Sequence, residues 1–200
     1  TLVKKLRNDF EQFLFAGEQL FLKKVFEEGA EQGVPWREIV VHAITGAEYV
    51  AENYRSYLAS LLGIDFDRPE RGVIGVNFGL SELSLSILSE NLQTLRLRRL
   101  ACEDPKFRRA LYGRETTICP NIMQYYPYPT YLETVPGPDG ENQLVVSMLN
   151  PSLRIPLIRY NTRDCVELVS YGTLAKVVRA AGHEHLVPPS RLPFGIVWGK

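Results

Sequence analysis

The sequence predicts an α/β fold with a smaller β-rich part toward its C-terminal end. Three observations carry this. Through about residue 90, short apolar or β-branched runs alternate with segments of helical periodicity, the pattern of a parallel sheet covered by helices. After about residue 115 the text turns to Pro, Tyr and β-branched residues, as in "ICPNIMQYYPYPTYLETVPGPDGENQLVVSMLN". Finally, 45% hydrophobic and 23% charged residues is the balance of an ordinary globular chain able to bury a core.

Taken in order, "EQFLF" at 11–15 reads as a short strand. "GEQLFLKKVFEEGAEQG" reads as a helix with Leu22, Val25, Phe26 and Ala30 on one face, stopped by Gly33 and Pro35. "REIVVHAIT" has strand length and β-branched content. A second helix is expected over "GAEYVAENYRSYLASLLG", where Val50, Tyr54, Tyr57, Leu58 and Leu61 recur at helical spacing and Gly63 ends it. "RGVIGVNFGL" is a further buried strand. Beyond it, "GPDG" marks a turn between two strand-like runs. The sharpest composition shift, near "LYGRETTICP", suggests one part over 1–115 and a β-rich part over 116–200.

Bulk properties exclude several roles. Net charge is zero, which gives no global basic footprint for nucleic acid. No apolar run approaches the roughly 20 residues that cross a bilayer, so no membrane partner is expected. Cys102, Cys119 and Cys165 are widely spaced and form no C-x-x-C pair, which disfavours structural zinc and suits a reducing, cytoplasmic setting. His183 and His185 lack nearby co-ligands and read as surface loop. "LRLRRL" at 95–100 reads as a solvated helix face, and the tyrosines of "QYYPYPTY" as residues that pack β structure or flank an acid pocket.

Three stretches can carry chemistry, since ligands of open α/β sheets bind beyond the C-terminal ends of strands. In "HAITGAE", Gly46 and Ala47 let a flat ligand approach the backbone, with Glu48 beside them; the same residues also suit a plain βα turn. In "VNFGLSEL", a strand ends at Asn77 and Phe78, and Gly79 permits a sharp turn. Phe78 can stack on a base, the Ser81 hydroxyl can meet a phosphate, and Glu82 can hold a hard cation such as Mg2+. Ser81 could equally cap a helix. In "PLIRYNTRDC", Asp164 leaves an apolar run and can accept from two vicinal hydroxyls, as of a ribose, or pair with Arg159 or Arg163.

In this order the three stretches resemble the adenylate-forming superfamily, in particular its phenylacetate-CoA ligase and coenzyme F390 synthetase-like branch. That branch has a Gly-Ala-Glu turn, an aromatic-Gly-x-Ser/Thr-Glu turn and "PLIRYRTGD"; here they read "GAE" at 46–48, "FGLSE" at 78–82 and "PLIRYNTRD" at 156–164. The resemblance extends from about residue 11 onward. It implies ATP and a carboxylic acid, aryl or related, giving an acyl-adenylate (AMP ester) and pyrophosphate, then a thioester with coenzyme A. It further implies that Gly46, Ala47 and Glu48 line the adenine site, together with Asn77, Phe78 and Gly79. Ser81 would contact the α-phosphate, Glu82 would bind Mg2+ and Asp164 would hold the ribose. "LPFGIVWGK" resembles the approach to the family's hinge, with Lys200 where arginine is usual. Against the quoted pattern, Arg163 replaces the glycine before the aspartate. Neither the family's upstream phosphate loop nor its downstream lid lysine is found in the sequence. The expectation is therefore the middle of a longer ligase, inactive by itself. Alternatives are an adenylating enzyme that loads a carrier-protein thiol, a non-catalytic nucleotide-binding module, and a plain structural domain.

Overall fold

The computed structural model describes residues 2–46, 49–128, 130–150 and 152–199. They form a mixed α/β fold in two compact units, Thr1–Val76 and Asn77–Lys200.

The first unit holds α1 (Leu2–Leu6), β1 (Gln12–Glu18), α2 (Gln19–Glu31), β2 (Val40–Gly46), α3 (Glu52–Leu62) and the first half of β3 (Gly72–Leu80). The strands are parallel in the order β1-β2-β3, with Gln12 opposite Val40 and Val41 opposite Gly72. Alternate residues Val41, Ala43 and Ile74 face a core shared with Leu22 and Phe26 of α2 and Leu58 and Leu62 of α3. This is the arrangement that the alternation of runs predicts. Glu18 caps α2 by accepting from the amides of Leu20 and Phe21 at 3.0 and 3.2 Å. The second helix begins at Glu52, later than its periodicity suggests. Ahead of it, Val50 is fully buried, the Tyr49 carbonyl accepts from Gln19, and Ala51 is extended. Gly63 closes α3 in the left-handed region, at φ 71°.

The second unit begins inside β3. Asn77, Phe78 and Leu80 pair antiparallel with β4 (Ser84–Ser89), so this strand changes partner type along its length. The sheet continues, antiparallel throughout, as β4-β5-β9-β8-β7-β6, with β5 Asn121–Gln124, β6 Thr130–Pro136, β7 Asn142–Met148, β8 Tyr160–Val169 and β9 Phe194–Gly199. The "GPDG" turn joins β6 to β7, closed by the Gly137 amide donating to Glu141 at 2.8 Å. Helices α4 (Leu92–Glu103), α5 (Pro105–Tyr112) and α6 (Tyr171–Ala180) supply Leu97, Phe107, Leu174 and Val178 to a core with Ile122, Phe194 and Ile196.

The second unit differs from its sequence reading in three respects. Helix α6 lies in the half expected to be strands and loops; Ser170 caps it by accepting from the Thr173 amide. "LRLRRL" is not a solvated face, since Leu95, Leu97 and Arg98 are fully buried and the Arg98 Nε donates to the Cys119 carbonyl at 3.1 Å. Compact units divide at 76/77, upstream of the composition shift near 115, because α4 and α5 pack on the strands that follow them. Among the described residues no helix is long and apolar enough to cross a membrane.

Candidate functional site

The "FGLSE" stretch closes a β-hairpin. Phe78 lies opposite Leu88 and Leu80 opposite Ser84, so Gly79 sits where the register shifts and the turn itself spans residues 81–83. The sharp turn expected at Gly79 is thus two residues further on, and Ser81 leads into a strand, not a helix. The hairpin forms because "SLSILS" is an alternating run that β3 can pair. Asn77 and Phe78 are half-buried on β3, whereas Ser81 and Glu82 are exposed at the tip. Ser81 Oγ donates to Glu82 Oε2 at 3.0 Å.

Strand β8 carries the "YNTRD" segment, with Arg159 just before it. Between the pairs Val145–Asn161 and Gln143–Cys165, β7 advances two residues while β8 advances four. The surplus forms a bulge in which Arg163 takes φ 63°. This left-handed conformation suits glycine, and it is the position where the resemblance has one. Arginine is accommodated because its amide donates to the Asn161 side-chain oxygen at 2.8 Å, while its own side chain is exposed. Thr162 Oγ1 accepts from the Asp164 amide at 3.1 Å and donates to the Leu144 carbonyl at 3.2 Å. Asp164 is 6% exposed. Arg159, another residue with positive φ, pairs with Glu133 at 2.7 Å.

These two segments meet through a residue not singled out from the sequence. Tyr160, at the start of β8, donates its hydroxyl to Glu82 Oε1 at 2.5 Å. That hydrogen bond pushes the phenol above its ordinary value. Burial and the charges of Glu82 and Asp164 add to the effect, and Arg163 opposes it. The turn with Ser81 and Glu82 and the strand with Asp164 therefore belong to one locality. The pairing of Tyr160 with Glu82 had no local signal, because the partners are 78 residues apart.

Glu82 fits a cation carried on phosphates. Its donor set is one exposed carboxylate flanked by hydroxyls, all oxygen, as a hard divalent ion requires. Among the described residues no group of three or more His, Cys, Asp or Glu could hold a metal without such help. The last residue of the turn, Leu83, joins Ile87, Tyr125, Tyr126, Met148 and Leu153 in lining a cavity of about 520 Å³. Gln124 at its edge is saturated internally: its side chain bonds Asn91, Ser190 and the Leu192 carbonyl.

In the first unit Gly46 ends β2, next to Thr45, whose buried Oγ1 has no hydrogen-bond partner among the described residues. Ala47, Glu48 and Lys200 lie outside the described residues. Burial, with acidic neighbours, raises the Cys165 thiol above its ordinary value, which disfavours a reactive thiolate. Near the end of β9, the Arg114 guanidinium lies 3.7 Å from the centre of the Trp198 ring and pairs with Glu141 and Glu167, a packing arrangement.

The strand order and helix placement define a mixed α/β fold. One solved structure that matches is an open conformation of 2-hydroxyisobutyryl-CoA ligase in complex with 2-HIB-AMP and CoA, with a TM-score of 0.51 at 13% identity. The match covers 76% of this chain, and the chain spans 28% of that protein's length. No protein-family model and no curated protein sequence matches significantly.

Proposed function

We propose that this chain carries the nucleotide-binding core of an ATP- and Mg2+-dependent carboxylate–CoA ligase of the phenylacetate-CoA ligase type, in a cytoplasmic setting. The observation that carries the reading is the Tyr160–Glu82 hydrogen bond, which joins the turn of Ser81 and Glu82 to the strand of Asp164. The shared fold with a CoA ligase supports it.

In this reading the acid's carboxylate oxygen bonds to the α-phosphorus of ATP and pyrophosphate leaves. The thiol of coenzyme A then attacks the acyl carbon, the acyl–oxygen bond to the α-phosphate breaks, AMP leaves with the electron pair, the thiol proton passes to water, and the thioester remains. Ser81 hydrogen-bonds the α-phosphate, and Asp164 accepts from the ribose hydroxyls. Asn77 and Phe78 hold the base edge and face, with Gly79 following them in sequence; Gly46, Ala47 and Glu48 as adenine-site residues, and Lys200 as a hinge residue, rest on the resemblance alone. Glu82 would hold the magnesium ion, which neutralises phosphate charge as the bonds change. The work is positioning and electrostatic stabilisation, and it needs few side chains. An aryl or related acid is the proposed substrate class.

Glu82→Gln in the full-length protein tests this. The amide keeps the shape but lacks the charge that a hard cation needs. Pyrophosphate release should then require much more magnesium, with an unchanged melting curve. An unaltered magnesium dependence would return Glu82 to a purely structural role at the hairpin tip.

A further inference from the structure

We propose that the cavity bounded by Leu83 receives the body of the acid, and that this body is uncharged, apolar and larger than a single ring; this rests on the ligase reading above.

The cavity lies within the second unit. Strands and their ends supply its walls: Ile87 on β4, Gln124 at the end of β5 and Met148 at the end of β7. Leu83 ties it to the candidate site. It directly follows Glu82 and is buried, at 8% exposure. An acid whose body lies against Leu83 can therefore turn its carboxylate toward the turn of Ser81, the residue proposed to meet the α-phosphate.

Size sets the first limit on that body. A cavity of about 150 Å³ suffices for one benzene ring, whereas this one measures about 520 Å³. Cavities of such size enclose drug-sized ligands. A single-ring acid would leave most of the space unfilled and forgo the burial that filling it provides.

The lining sets the second limit. Leu83, Ile87, Met148 and Leu153 are apolar, and Tyr125 adds a half-buried ring. Burial raises the Tyr125 phenol above its ordinary value, and the charge of Tyr131 adds to the effect. Polar lining groups are engaged with one another. The hydroxyls of Ser86 and Ser89 lie 2.9 Å apart, and Gln124 is held by Asn91, Ser190 and the Leu192 carbonyl. Among the described lining residues Glu90 is the only charged one, and it is acidic. A second carboxylate on the acid would lose its hydration there and meet no cation in return. The cavity thus selects monocarboxylic acids with a long alkyl or fused-ring body.

The test is isothermal titration of the full-length protein with decanoate, 2-naphthylacetate, phenylacetate and decanedioate, beside pyrophosphate release with the same acids. Decanoate or 2-naphthylacetate is expected to bind about 10-fold tighter than phenylacetate, and decanedioate about 10-fold weaker than decanoate. Ile87→Phe and Leu153→Trp add bulk to the cavity and should abolish the preference for the larger acids. Leu153 is half-buried and outside the strands and helices, so its variant tests the proposal even where Ile87→Phe fails to fold. If phenylacetate binds as tightly as both larger acids, or the preference survives in Leu153→Trp, the cavity is not the acid site. Equal binding of decanedioate and decanoate would overturn the uncharged body. Pyrophosphate release separates these results from the ligase reading. Release with a preference that Leu153→Trp leaves intact overturns the cavity assignment alone; no release with any acid overturns the ligase reading and this proposal with it.

Discussion

Asp164 is a carboxylate almost removed from water, at 6% exposure, beside an arginine whose side chain is exposed. A carboxylate has several acceptor positions, so beside its contacts within the protein it could accept from the vicinal hydroxyls of a ribose. Asp164→Ala in the full-length protein is expected to weaken ATP binding by about 1.5–3 kcal/mol, the worth of a charged hydrogen-bonding group. Isothermal titration measures this, beside a melting curve that should hardly move. Unchanged affinity with a sharp fall in melting temperature would make Asp164 a structural residue. Tyr160 offers a second readout. Its phenol titrates above its ordinary value chiefly through the hydrogen bond to Glu82. The stability this contributes is full below the phenol's ordinary value and is lost as pH rises through the raised one. In Glu82→Gln the alkaline absorbance titration of Tyr160 should therefore move down, identified by its loss in Tyr160→Phe. No movement would detach the phenol from Glu82 in solution. The sequence shows Ser81, Glu82 and Asp164 because each ends a strand-like run in a polar cluster that such runs do not need. It cannot show Tyr160 as the link, since a half-buried tyrosine at a strand end usually only packs.

At the level of elements, the bulge in β8 is where local conformation and sequence are in tension. Arg163 holds φ 63°, and its amide is satisfied by Asn161. A left-handed conformation costs an L-residue roughly 1–2 kcal/mol, and a β-branched side chain suffers most. Arginine already carries that cost, so Arg163→Val is expected to destabilise the protein further through its β-branch, whereas Arg163→Gly should be neutral or mildly stabilising. Urea unfolding of both variants decides this; equal losses would mean that the arginine side chain, not the backbone angle, matters. The elements best read from the sequence are those where one pattern dominates. The β-branched run of β2 and the "GPDG" hairpin are examples. Helix α6 escaped because its apolar stripe, Leu174, Ala175 and Val178, is short and directly follows a strand. Its Ser170 cap was the available signal. The buried face of α4 escaped for a different reason. Arg98 looks like a solvent residue in sequence, and hydrogen bonding such as that to the Cys119 carbonyl makes its burial tolerable.

On the scale of the whole molecule, alternating runs sufficed to fix the α/β class, because a parallel strand must be followed by a crossover that packs back on the sheet. The division at 76/77 was not legible. Residues 72–80 read as one continuous apolar strand, yet Gly72–Val76 pairs parallel with β2 and Asn77–Leu80 antiparallel with β4. Side-chain pattern records which face is buried and not the direction of the neighbouring strand. The resemblance implies that the proposed chemistry draws on more than these residues. The chain corresponds to 28% of the length of the CoA ligase that shares its fold. Its sequence offers Ser81, Glu82 and Asp164 but no Ser/Thr/Gly-rich loop to hold the leaving pyrophosphate. Backbone amides of such a loop stabilise charge that develops only in the transition state, and removing one such donor commonly costs 100- to 1,000-fold in rate. Losing the whole set should therefore silence catalysis even where nucleotide still binds. The purified 200-residue chain is expected to release no pyrophosphate above background from ATP and a panel of aryl and alkyl acids. The full-length protein, with Mg2+ and coenzyme A, is expected to release it with at least one of those acids. Turnover by the short chain alone would show that its own residues complete the site, and would overturn the division of labour proposed between them and the rest of the ligase.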